Sequence, residues 1–204
     1  MTSKLSAPIS SIQKESASVH DLIAITPLGA TRPRIDNHGS VTLTEVTDCA
    51  LASVAARLGH EPQANALVAS LIGAPAPGPA RMGGTGVMAF WMGPDQWMLS
   101  APIETHEALA ERIKAEAKGT ASITDQTGAW CRFDLTGDGL ADVLERLTNA
   151  NTRAFSGGEA QRTAVEHMGC FLLCHTPRHI SVIGPRSSAD SLHHALLTAM
   201  RSAH

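Results

Sequence analysis

The order in which apolar periodicities follow one another from Val41 to Gln126 restricts this chain to a narrow set of folds. Val41 to Val46 alternates as a half-buried strand does, and Ala50, Leu51, Val54, Ala55 and Leu58 then recur with helical spacing until Gly59. A further short helix is marked by Pro62 at its start, by Leu67, Val68, Leu71 and Ile72 on one face, and by Gly73 after it. Pro75 to Gly84 reads as a surface loop. The apolar runs Val87 to Met92 and Gln96 to Ala101 flank the turn Gly93-Pro94-Asp95, which spells a hairpin. Thr105 is placed to cap a helix through Lys118, with Leu109, Ile113 and Ala117 inward and Gly119 as its stop, and Ala121 to Thr124 reads as a strand. In outline this is strand, helix, strand, strand, helix, strand, the ferredoxin-like split βαβ order.

The remainder partly repeats that order. Cys131, Phe133 and Leu135 alternate inward, and Leu140, Val143, Leu144 and Leu147 form a helical stripe. Arg162 to His167, Cys170 to His175 and His179 to Ile183 follow as short strands. A closing helix carries Leu192, Ala195, Leu196 and Ala199 inward, and Ser187 and Asp190 give it a capping-box-like start. The expected fold is α+β, with two interlocked ferredoxin-like βαββα(β) half-domains, 41–126 and 129–204, sharing one core in a single domain, 41–204. The second half lacks its final strand, so the first is expected to lend it one. Ahead of them, 1–20 reads as a mobile tail. The stretch 21–40 reads as an extended arm, because Pro27 and Pro33 forbid a helix there; it lies across a neighbour or packs on its own domain.

Composition removes several classes of function. A net charge of −3 from sixteen basic and nineteen acidic residues offers no field for nucleic acid or an anionic membrane. With no tyrosine and only four Phe and three Trp, stacking platforms for single strands are few. No apolar run approaches the ~20 residues of a membrane helix or makes a signal peptide, so a cytoplasmic location is expected. Cys49, Cys131, Cys170 and Cys174 lie in apolar stretches and read as packed thiols.

The search for chemistry returns little. Gly83, Gly84 and Gly86 lack dinucleotide spacing, no Gly-Lys-Ser/Thr follows a glycine loop, and the nucleophile elbow, paired-histidine and calcium-loop patterns are absent. His167, Cys170, Cys174, His175 and His179 look like soft metal ligands. Four positions along one strand, however, set Cys170 and Cys174 ~13 Å apart, too far for one zinc or a disulfide. His193 and His194 point ~100° apart on a helix and read as a solvated pair. No catalytic, cofactor-binding or metal-ligating residue is therefore assigned. Asp125 and Asp134 are carboxylates on strands, costly unless paired, with Arg132 or Arg162 as candidate partners or as strand-end exposure. Trp91, Trp97 and Trp130 serve a core or an interface.

Several segments resemble the gamma subunit of heterotetrameric sarcosine oxidase: ALASVAARLG (Ala50 to Gly59), WMGPDQWML (Trp91 to Leu99), ITDQTGAWCRFDLTG (Ile123 to Gly137), LERLTN (Leu144 to Asn149), RTAVEHMGCFLL (Arg162 to Leu173) and GPRSSADSLHHALLTAM (Gly184 to Met200). GPDQW and GPRSSADSL are the most distinctive; the rest is similar to a wider superfamily that includes the folate-binding domain of the glycine-cleavage aminomethyltransferase. The resemblance implies alpha, beta and delta partner chains, with alpha in direct contact, and a complex that demethylates sarcosine to glycine. The one-carbon unit passes to tetrahydrofolate or leaves as formaldehyde, with hydrogen peroxide formed. It also implies that FAD, FMN, NAD and tetrahydrofolate belong to the large chains and zinc to delta, with none in this one. Contact with partners is expected at Trp91, Pro94, Asp95 and Trp97 and at Leu28, Arg32 and Arg34 of the arm. The alternative is a free-standing module that binds folate or another anion through Arg132, Arg162 or Arg186.

Overall fold

The computed structural model describes residues 23–203, and the tail expected at 1–20 lies outside the described residues. Eleven strands form two antiparallel sheets. The first has the order β4 (Met82–Gly83), β5 (Met88–Gly93), β6 (Gln96–Pro102), β3 (Cys49–Ala56), β7 (Ala121–Asp125). The second has the order β1 (Ile35–His38), β2 (Val41–Val46), β8 (Trp130–Gly137), β11 (His179–Pro185), β10 (Met168–Thr176), β9 (Glu159–Val165). Helices α1 (Glu61–Ile72) and α3 (Leu109–Ala117) cover the outer face of the first sheet, and α4 (Leu140–Leu144) and α5 (Ala189–Ala203) that of the second.

Each sheet contains the ferredoxin-like arrangement. In the first, β3, β5, β6 and β7 stand in the spatial order last, first, third, second. In the second, β8, β10 and β11 occupy the corresponding places, and β2 pairs with β8 where the missing last strand belongs. The exchange expected from sequence is therefore present, and Val41 and Leu43, each 1% exposed, belong to the core of the second half.

The segment read as a helix from Ala50 to Leu58 is instead strand β3. Both of its faces are covered: Ala50, Ala52 and Val54 pack beneath α1 and α3, while Leu51 faces the other sheet. A strand buried on both sides has no obligatory alternation, so small apolar residues fall at helical intervals by coincidence. The helix expected from Thr105 to Lys118 is also divided, into α2 (Ile103–His106) and α3. The Thr105 hydroxyl bonds the Pro102 carbonyl rather than capping a helix. Pro62 does start α1, and left-handed Gly73 ends it.

The sheets meet through Leu51, Phe90 and Met98 on one side and Phe171, Leu173 and Ile183 on the other, with the Phe90 and Phe171 rings 5.1 Å apart. At one edge, Met82 N–H donates to Gly158 (3.0 Å) and Ala160 N–H to Ala80 (3.0 Å), stitching the sheets together. The arm packs on its own domain: β1 pairs with β2, and the backbone N–H groups of Leu28 and Arg34 both donate to the buried Glu45 carboxylate at 3.0 Å.

Because β2 completes a sheet that lies after it in the chain, the two halves should unfold together. Leu43→Ala is expected to cost about 2–5 kcal/mol in urea denaturation and to keep a single transition reported alike by tryptophan fluorescence and circular dichroism. Two resolved transitions, with only one moved, would contradict the interlocked core.

Candidate functional site: a polar cluster at the open end of the sheet interface

Residues directly opposite one another on neighbouring strands share a face. The row Ile35, Thr44, Asp134, Ser181, Leu173, Ala160 therefore runs across the inner face of the six-stranded sheet. Its Leu173 end meets the other sheet; its Ile35 end projects beyond it, and polar residues take over in between.

Asp134 is the hub. Arg132 grips it with two bonds, Nε to Oδ1 at 2.7 Å and Nη2 to Oδ2 at 2.8 Å. Ser181 Oγ donates to Oδ1 at 2.7 Å, and His179 Nε2 lies 2.9 Å from Oδ2. A carboxylate can only accept, so His179 carries its proton on Nε2. Ser181 has spent its proton on Asp134, so His175 Nε2, 2.8 Å from Ser181 Oγ, must be the donor of that bond. The two imidazoles stack with centroids 4.3 Å apart. On the first sheet, Cys49 Sγ receives the remaining Arg132 nitrogen, Nη1, at 3.5 Å.

Burial pushes the Asp134 carboxyl up, but the Arg132 hydrogen bonds and charge, with Ser181 and His179, outweigh it and hold the group below its ordinary range. Burial alone would also lower Arg132; its bonds to Asp134 raise it instead. Burial, then His179 and Arg132, pull His175 down to about 4, so it is neutral at physiological pH. Burial raises the Cys49 thiol despite Arg132, so it is a thiol and not a thiolate. Asp134 accepts four bonds and Ser181 is fully buried, so neither the carboxylate nor the hydroxyl is free to act, and the Nδ1 atoms of His175 and His179 are the basic positions left over. The network fixes β8 against β11.

Beside it runs a groove. One lobe, about 540 Å³, is lined by Pro33, Thr44, Cys49, Met88, Arg132 and Asp134 among others. A second, about 440 Å³, adds Ile25, Ile103, Trp130 and Arg186 and shares Val46, Thr47, Cys49 and Arg132 with the first. Two of the three arginines singled out from sequence, Arg132 and Arg186, thus line one cleft. Arg162 is elsewhere, its guanidinium 5.8 Å from the Phe171 ring centroid. Asp125 does not join Asp134; it accepts the Thr127 N–H at 2.9 Å.

The other sequence candidates are dispersed. Trp97 is 3% exposed, and its indole donates to the Pro77 carbonyl at 2.8 Å, so it serves the core. Trp91, Pro94 and Asp95 surround a shallow hollow of about 320 Å³ against Ala76–Pro79, on the hairpin turn. Leu28 packs partly into the core, Arg32 is exposed, and Arg34 pairs with Asp36 at 2.9 Å. His193 is buried and 2.8 Å from Asp36 Oδ2, not solvated as its sequence context suggests; His194 is exposed. Cys170 and Cys174 are free thiols pushed up to about 11 by burial, and no metal-ligating group occurs among the described residues. Among those residues no helix is long and apolar enough to cross a membrane. Sequence reasoning missed the parts played by His175, His179 and Ser181. The available signal was two polar pairs at two-residue spacing, Arg132/Asp134 and His179/Ser181, on strands that are otherwise apolar.

Scanned against protein-family models and curated protein sequences, the chain finds no match. Solved structures do match. A chain of heterotetrameric sarcosine oxidase from Corynebacterium sp. U-96, in complex with pyrrole 2-carboxylate, superposes with a TM-score of 0.72 at 22% identity, over 83% of this chain and 88% of that one. Glycine cleavage system aminomethyltransferase T from Bartonella henselae gives 0.60 at 14% identity, over 80% of this chain and 47% of that one, so the chain spans about half its length. The protein has the aminomethyltransferase-like α+β fold.

A neutral His175 in the native state and a freely titrating one in the unfolded state mean that the unfolded chain binds the extra proton. Stability contributed by this site should fall as pH drops from about 6.5 toward about 4. Asp134, whose carboxyl is held low, adds loss only below the ordinary carboxylate range. His175→Gln should flatten the upper part of that profile in urea melts; an unchanged slope would show that His175 is not the group responsible.

Proposed function

We propose that this chain is the non-catalytic gamma subunit of a heterotetrameric sarcosine oxidase, stabilising the alpha chain and the assembly. In that complex sarcosine is demethylated to glycine, the one-carbon unit passes to tetrahydrofolate or leaves as formaldehyde, and peroxide forms. FAD, FMN, NAD and folate are held by the larger chains. The observation that carries the reading is the match in fold over most of both chains with a chain of such an oxidase. The polar cluster agrees with it, because its carboxylate is fully engaged by its neighbours. Co-expression with the alpha, beta and delta chains should yield a complex that survives size-exclusion chromatography with this chain at one copy per alpha. Elution of this chain alone, as a stable monomer, would overturn the reading.

A second reading, a free-standing module for folate or another anion, draws on the meeting of Arg132, Arg186 and Trp130 in one cleft. Asp134 already neutralises Arg132, which weakens it. Calorimetry with tetrahydrofolate on the purified chain should show no micromolar binding; saturable binding that Arg186→Ala removes would favour the module.

A further inference from the structure

Four large apolar residues among the described ones stand exposed, and three cluster on the arm: Ile23 (74%), Ile25 (58%) and Ile35 (60%); Leu58 is the fourth. Scattered single exposures need no explanation, but Ile25 and Ile35 flank one groove. Ile25 lines its second lobe, and Ile35 stands beside Thr44, which lines the first. A third lobe, sharing Ile25, Pro27 and Arg186 with the second, extends the groove to Ser187. The result is an elongated, mostly apolar trough running from Gly86 to the start of α5, open along its length.

Glu45, Asp48 and Asp134 line the trough's first lobe, whereas the second and third lobes carry arginines and no carboxylate. Arg186 donates only to the Ile25 carbonyl, at 3.2 Å, and no carboxylate among the described residues pairs with it or with exposed Arg32. Arg132 is neutralised by Asp134, yet its Nη1 faces only a thiol, a poor hydrogen-bond acceptor. An occupant that supplied a carboxylate near Arg186 and an acceptor near Arg132 would complete both. The trough's length and its isoleucine rim suit an extended polypeptide better than a compact small molecule.

We propose that this trough, and not the Trp91–Trp97 hairpin, is the docking surface for the larger partner chain, and that it receives an extended segment carrying apolar side chains and a carboxylate. The assignment rests on the subunit reading above. Trp97 is spent on the protein's own core, which leaves the hairpin only a shallow hollow to offer.

The test uses the full chain co-expressed with the alpha chain and measures association by biolayer interferometry. Arg186→Glu should weaken binding by roughly tenfold or more, since one charge at a buried contact becomes repulsive. Ile25→Ser, at an exposed residue that lines two lobes of the trough, should weaken it as well, whereas Trp91→Ser should leave it near wild type. Unfolding curves for each variant separate lost docking from lost folding. If the wild type binds and both trough variants bind equally well, or if Trp91→Ser alone is impaired, the docking assignment fails while the subunit reading stands. If the wild type does not bind the alpha chain, both fail. If tetrahydrofolate displaces the partner from the wild type, the trough is a small-anion site instead.

Discussion

Strand β2 holds the fold together because it completes a sheet built from the far half of the chain. Its pairing with β8 buries Val41 and Leu43 under α5 and leaves Thr44 and Val46 on the inner face. Without it, β8 would be a hydrophobic edge beside a charged pair, a surface that invites association. With it, the same stretch of chain also anchors the arm, because Glu45 on β2 accepts the Leu28 and Arg34 amides. The trough depends on that anchoring, since the arm is one of its walls.

The inner face explains where polarity is tolerated. Where the sheets touch, phenylalanine, leucine and methionine fill the interface; beyond it, Arg132 and Asp134 meet in a half-dry environment that an isolated charge would find costly. The network survives there because every strong acceptor has a donor: Asp134 takes four bonds, and the two histidines order each other through stacking and Ser181. Such a network specifies register, and a carboxylate so fully engaged is a poor base.

Much of this was legible in the sequence. Alternation located β8; β10 and β11 read as short strands; the Gly-Pro-Asp turn located the β5–β6 hairpin; and the absence of a last strand in the second half predicted the exchange. Strand β3 was not legible, because burial on both faces removes the alternation by which a strand is recognised. Within the site, Asp134 and Arg132 could be suspected as a pair, but His175, His179 and Ser181 could not be brought to them without knowing that β8 and β11 are neighbours. Trp97 illustrates the converse: its place in a distinctive motif suggested a surface role, while its indole ties the Pro75–Gly84 loop to the sheet from inside.

On the proposed subunit reading, a chain whose Asp134 is engaged internally and which presents an open, largely apolar trough acts through what it binds. The most direct test of that claim is the melting temperature of the purified large chains of such an oxidase with and without this chain, recorded beside their turnover of sarcosine. The account predicts a rise of several degrees on adding this chain, with no turnover by this chain alone. An unchanged melting temperature, or turnover by this chain in isolation, would contradict it.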